Sequence, residues 1–338
     1  MTESPHSFNA RWRELLLDLV WRQWSLLGVA GHAQKDANWI VDLEALVLVT
    51  TTYGRSDPRL FDEMLDWLWG NAQWVNVQRL RNIRKQLDLG DEQVLRGIAQ
   101  WLCQRTTLSK WKSLLKDSPA PPYPEPLFRL PDGSGMPLRG EPEPAFARHG
   151  LLRGPIERRG MSRPPNPRTA AMLSWKLRSL FGVQARCEFL QWLLTHERGH
   201  PAEIARATYY FPRTVEDTLR ELAASGLVRS APSGKAVHYW LKPEDWFFLR
   251  SWEEPRGFPR WIDWPRFFYL HERLLAIGAR EPMSPLLYAS ELRRVFEELR
   301  PEIDAAELRQ EFRASADDTG NEFALVLSRD IGRLHQSL

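Results

Sequence analysis

Residues 184–242 carry an order of helix starts, breaks and strand-like alternation that few folds can accommodate. The stretch A-R-C-E-F-L-Q-W-L-L-T-H reads as an amphipathic helix with Cys187, Leu190, Leu193 and Leu194 on its inner face. G-H-P breaks it, and Pro201 opens a short helix, A-E-I-A-R-A-T, that buries Ile204 and Ala205. A residue as small as Ala205 lets two helices cross closely. Tyr209, Tyr210 and Phe211 make a turn. Pro212 then starts R-T-V-E-D-T-L-R-E-L-A-A-S, with Val215, Leu219 and Leu222 inward and Gly226 just past its end. L-V-R-S and V-H-Y-W-L alternate as two short strands joined by A-P-S-G-K-A. The order is three helices followed by a hairpin.

In order and spacing this stretch resembles winged helix-turn-helix transcriptional regulators of the ArsR and MarR type. The phrases that carry the likeness are L-F-G-V-Q-A-R-C-E-F-L-Q-W-L-L, A-E-I-A-R-A, R-T-V-E-D-T-L-R-E-L-A-A-S-G-L-V and the G-K…H-Y-W-L hairpin. It covers about 70 of the 338 residues. The chain departs from the pattern at Tyr209, where glycine is usual, and at Phe211, where a serine-like cap is usual. The resemblance implies that the third helix enters the major groove of double-stranded DNA while the hairpin wing lies beside the backbone. On that reading Arg213, Thr214, Glu216, Asp217 and Arg220 face the bases, and Lys235 and His238 belong to the wing. The helix is not basic: its two arginines are outnumbered by Glu216, Asp217 and Glu221.

The flanks read as helical. In the first helix Leu16, Val20, Trp24 and Leu27 form an apolar stripe opposite Glu14, Asp18, Arg22 and Ser25. Further helices are predicted at about 43–53, from Asp57 as cap and Pro58 to Gly70 and Asn71, at 76–87 and at 91–104. The 76–87 helix is read with Arg79, Arg81, Arg84 and Lys85 on its surface, as a solvated basic face or a second DNA-contacting unit. The block D-L-E-A-L…G-R-S-D-P-R-L-F-D-E-M-L-D-W-L…V-Q-R-L-R-N is similar to winged-helix antitoxin-like partners of nucleotidyltransferase toxins. Residues 118–168 hold 13 of the 25 prolines. They read as an extended linker, or as an irregular arm anchored by Leu127, Phe128, Leu130 and Phe146. After 242, Ser284 and Pro285 start a helix with Tyr288, Leu292, Val295 and Leu299 on one face, a dimer seam or intradomain core. A last helix follows D-D-T-G at about 321–336. Trp240, Trp246, Trp252, Trp261 and Trp264, with Phe247, Phe248, Phe267 and Phe268, are read as core.

The expected class is therefore mainly α. An N-terminal helical domain spans 1–117, a Pro-rich basic linker or arm 118–168, the winged helix-turn-helix domain with its small β-hairpin 169–242, and a C-terminal helical domain 243–338. The basic excess is local: residues 121–180 hold ten basic and five acidic side chains, whereas the whole chain is only +3. Cys103 and Cys187 are too far apart for a metal clasp and suit a reducing compartment. The N-terminal residues do not read as a signal peptide, so none is expected, and the longest apolar run, A-L-V-L-V, is too short to cross a bilayer. H-E-R-G-H at 196–200 matches the literal zinc-hydrolase motif, but Gly199 and Pro201 interrupt the helix that would align its histidines. The sequence predicts a cytoplasmic, non-enzymatic regulator of transcription that binds double-stranded DNA as a homodimer, without metal, cofactor or membrane. The alternative is a protein-binding, antitoxin-like partner that also autoregulates its operon.

Overall fold

The computed structural model describes residues 5–31, 37–115, 123–234, 236–250, 257–278, 283–315, 317–318 and 320–338. It is mainly helical, and among the described residues its longer sheet is a two-stranded antiparallel hairpin. Two compact units emerge: Arg22–Trp261, and Met1–Trp21 with Ile262–Leu338. The first helix, α1 (Pro5–Leu26), contributes residues to both. Its predicted stripe is buried, and so is Ser25, which the periodicity had put on the polar face.

In the larger unit, α2 (Leu43–Tyr53) is mostly apolar, with Glu44 the one charged residue, and is buried on nearly every side. Asp42 caps it by accepting from the Ala45 N–H at 3.0 Å. Asp57 does the same for Leu60 at the start of α3 (Pro58–Asn71). Asn76 caps α4 (Val77–Leu87), and Asp91 caps α5 (Glu92–Arg105). These four helices start within a residue of the positions predicted from the sequence.

The described part of the proline-rich segment is the irregular arm rather than a free linker. β1 (Glu125–Pro126) pairs in parallel with β2 (Leu151–Leu152), and between them lies the short α6 (Pro144–Ala147). Leu127 and Phe146 are fully buried. Phe146 reaches its place because Gly97 on α5 has no side chain: a Cβ there would lie 2.5 Å from the ring. Arg55 donates to the Leu127 carbonyl at 2.9 Å and pairs with Asp91 and Glu125. Further along, the Gly28 carbonyl accepts from the Arg163 N–H at 2.8 Å. Gly28 sits at φ +94°, and a Cβ on it would be 1.9 Å from the Arg163 carbonyl oxygen.

α7 (Leu173–Phe181), α8 (Ala185–Thr195), α9 (Pro201–Thr208) and α10 (Pro212–Ala224) follow, then β3 (Arg229–Ser233) and β4 (Ala236–Trp240). Strand β3 runs on to Ser233, so the link between the strands is two residues rather than the predicted six. Gly199 adds a one-residue third edge, its N–H and carbonyl both bonded to Tyr239. The inward positions read from the sequence, Cys187, Leu190, Leu193, Leu194, Ile204, Ala205, Val215, Leu219 and Leu222, form one buried cluster with Tyr239 and Trp246.

The smaller unit packs α11 (Trp264–Gly278), α12 (Pro285–Glu298), α13 (Arg300–Ala305) and α14 (Asn321–Ser337) with the first residues of α1. Tyr288, Leu292, Val295 and Leu299 are at most 4% exposed. The stripe offered as a dimer seam is this unit's own core. Trp264, Phe267 and Phe268 pack against one another in the same core, while Trp246 belongs to the larger unit and Phe247 and Phe248 are exposed. Trp252 lies outside the described residues. Among the described residues no helix is long and apolar enough to cross a membrane.

Candidate functional site

The turn between α9 and α10 positions the candidate face. Tyr209 caps α9 in the left-handed conformation, φ +65°, where glycine would be unstrained. A tyrosine is held there because its surroundings over-determine it. Its side chain is fully buried, and Arg79 and Asn82 of α4, with the capping Asn76, hold the turn. Arg79 Nε donates to the Thr208 carbonyl at 3.2 Å, Asn82 Nδ2 to the Tyr209 carbonyl at 2.9 Å, and Asn76 Nδ2 to the Tyr210 hydroxyl at 2.8 Å. The Arg79 guanidinium also lies 5.9 Å from the centre of the Tyr209 ring.

Behind this turn is a buried ionic cluster. Arg79 pairs with Asp42 through two bonds of 2.7 and 2.6 Å and with Glu44 at 2.9 Å. Arg178 of α7 clasps Glu44 at 2.9 and 2.7 Å and Glu188 of α8 at 2.7 Å, and donates to the Trp74 carbonyl. For Arg79 and Arg178 burial works against the charge, but the opposite charges around them prevail. Both arginines titrate above their ordinary range. Burial would raise Asp42, yet the charge and hydrogen bonds of Arg79, with the Ala45 N–H, hold it below the usual carboxylate value. Burial also pushes the Tyr210 hydroxyl upward.

Arg79 was read as a surface residue of a basic helix. It is 5% exposed, and the correction has a geometric cause: its position on α4 faces α2 and the α9–α10 turn. Arg84 is likewise engaged, donating to the Gly90 carbonyl and pairing with Glu92. One signal pointed this way: Glu44 stands alone among apolar residues in L-E-A-L-V-L-V, and a carboxylate so placed needs a buried cation.

The turn delivers α10 with Arg213, Thr214, Glu216, Asp217 and Arg220 on one solvent-facing side. The charged members pair among themselves. Arg213 binds Asp217 at 2.9 Å, and Arg220 binds Asp217 at 3.1 Å and Glu216 at 2.6 Å. Such exposed pairs are worth about 0.3–0.5 kcal/mol each, so a ligand can displace them at little cost. Phe211, at the cap of α10, is 65% exposed. His238 sits apart from this face: it is half-buried on β4, its ring 5.8 Å from that of His200. Lys235 lies outside the described residues.

H-E-R-G-H does not form a helical ligand pair. α8 stops at Thr195, His196 stacks on Trp192 at 3.8 Å, and His200 caps α9 by accepting from the Ala202 N–H. No group of three or more metal-ligating side chains converges among the described residues. Burial pushes the Cys187 thiol up to about 12, so it stays protonated.

Compared with known proteins, the chain matches no family model, no curated protein and no solved structure.

Proposed function

We propose that residues 169–242 are a winged helix-turn-helix domain and that the chain is a sequence-specific, double-stranded-DNA-binding regulator of transcription. The carrying observation is the delivery of one exposed polar face at the start of α10 by a turn that Arg79 and Asn82 of α4 and the capping Asn76 hold through hydrogen bonds. Precise presentation of a helix N-terminal segment is what major-groove readout requires. The β3–β4 hairpin, tied back through Gly199, supports the same reading as the wing. The protein acts in the cytoplasm, as a homodimer, and catalyses nothing: two-fold operators match two-fold proteins, and one recognition helix reads only a few base pairs. Light scattering at micromolar concentration should return twice the chain mass.

The test is a titration against the protein's own upstream DNA and a scrambled duplex of equal length. Wild type should prefer the first. Arg213→Ala should lose about 1–3 kcal/mol on it per base contact and relax the preference. Equal affinity for both duplexes, unchanged by Arg213→Ala, refutes the reading.

A second reading, an antitoxin-like protein partner, is favoured by the self-paired charges of α10 and the exposed Phe211 beside them. An apolar residue rimmed by neutralised charges suits a protein surface. Under that reading Phe211→Ala weakens capture of a protein partner encoded beside the chain, and duplex binding is absent.

A further inference from the structure

The face of α4 next to the α9–α10 turn has a boundary that Asn82 marks. At about 100° per residue, Arg79 and Ile83 fall on one side of Asn82, and Gln78, Arg81 and Lys85 fall on the other. The first side is buried. On the second, Gln78 and Lys85 are exposed and Arg81 is half-exposed. Gln78 donates to the Asn82 Oδ1 at 2.9 Å, which turns the Asn82 amide N–H toward the Tyr209 carbonyl. The solvent-facing stripe of α4 therefore begins where the chain enters α10. Its two cations differ from those of α10: neither Arg81 nor Lys85 has an acidic partner among the described residues, whereas Arg213 and Arg220 are neutralised by Asp217 and Glu216.

We propose that α4 supplies phosphate contacts to the duplex-binding surface, with Arg81 and Lys85 each meeting a backbone phosphate beside the groove that α10 enters. The proposal rests on the DNA-binding reading of α10 and extends it to a helix outside the three-helix and hairpin segment. It divides the labour. The neutral α10 face contributes little non-specific attraction, and the unpaired α4 stripe contributes most of it. Because α4 and its cap Asn76 share three side-chain hydrogen bonds with the turn, a phosphate held on α4 fixes the register of α10.

The experiment measures binding of a labelled 30-base-pair random-sequence duplex, and of the upstream DNA, across a salt series. The proteins are wild type, the Arg81→Ala/Lys85→Ala double variant, Arg81→Lys/Lys85→Arg, and Arg309→Ala as a charge control. The double variant should weaken both duplexes by the same factor. Its slope of log affinity against log salt should fall by about 1.8 per protomer, at roughly 0.9 per phosphate. The charge-conserving variant should restore both, and Arg309→Ala should change neither. An unchanged slope in a double variant that still shows Arg213-dependent preference overturns the α4 assignment and leaves the DNA reading standing. An equal loss in Arg309→Ala also overturns it, because the attraction is then a matter of total charge. Failure of wild type to bind either duplex overturns both readings together.

Discussion

Replacing Arg79 with methionine keeps most of the side-chain volume and removes the cation that links Asp42, Glu44 and the α9–α10 turn. Four hydrogen bonds go with it: two to Asp42, one to Glu44 and one to the Thr208 carbonyl. The partners stay buried, with Glu44 fully covered and Arg178 the remaining cation of the cluster. Breaking one side of a buried ion pair costs about 3–5 kcal/mol, because the abandoned charge keeps its desolvation penalty. We therefore expect a loss of about 4 kcal/mol at pH 7. With a denaturant dependence of about 2–3 kcal/mol per molar, the urea midpoint should drop by roughly 1.5 M. The pH dependence supplies a second readout. In wild type, Asp42 titrates below its unfolded value. Its contribution is therefore present above the ordinary carboxylate range and lost as pH falls through the lower folded value. In the variant, burial acts without Arg79 and raises Asp42. The folded protein then binds the extra proton, and the penalty is relieved as pH falls. The difference between wild type and variant should shrink from pH 7 to pH 4. A loss under about 1 kcal/mol, or a difference that grows on acidification, refutes the account of the cluster.

Other perturbations report on separate regions. Burial pushes His271, which faces His335 across 2.9 Å, down to about 4. The unfolded chain binds the proton first, so stability should be full above about pH 6.5 and fall by roughly 3 kcal/mol toward pH 4. Thermal melts of wild type should show that slope, and His271→Leu should flatten it. Gly97→Ala should lose about 1–3 kcal/mol by driving a methyl group into Phe146, measured by urea unfolding. Gly28→Ala should release the stretch around Arg163 and speed its cleavage in limited proteolysis at native pH. Asp217→Asn removes the shared partner of Arg213 and Arg220 and should raise affinity for a random duplex. Unchanged affinity there would mean that neither arginine reaches phosphate or base.

The local signals were sufficient wherever one short stretch settles its own conformation. Asp57 and Ser284 start helices as caps, and the prolines at 58, 201, 212 and 285 occupy first helical positions that need no N–H. The apolar period fixed which side of α8, α9 and α10 is buried, and hence that Arg213, Thr214, Glu216, Asp217 and Arg220 share an exposed face. Nothing local could show that Arg79 turns inward. Arginine is compatible with either side of a helix, and its place was decided by Glu44 and the Thr208 carbonyl, which lie 35 and 129 residues away in sequence. The same holds for Tyr209, whose left-handed backbone runs against its own preference and persists because Asn82 and a closed core hold it. The proline-rich arm was left open between two readings because proline excludes helix without choosing a partner. Gly97, by leaving room for the Phe146 ring, and Arg55, by binding the Leu127 carbonyl, made that choice in three dimensions.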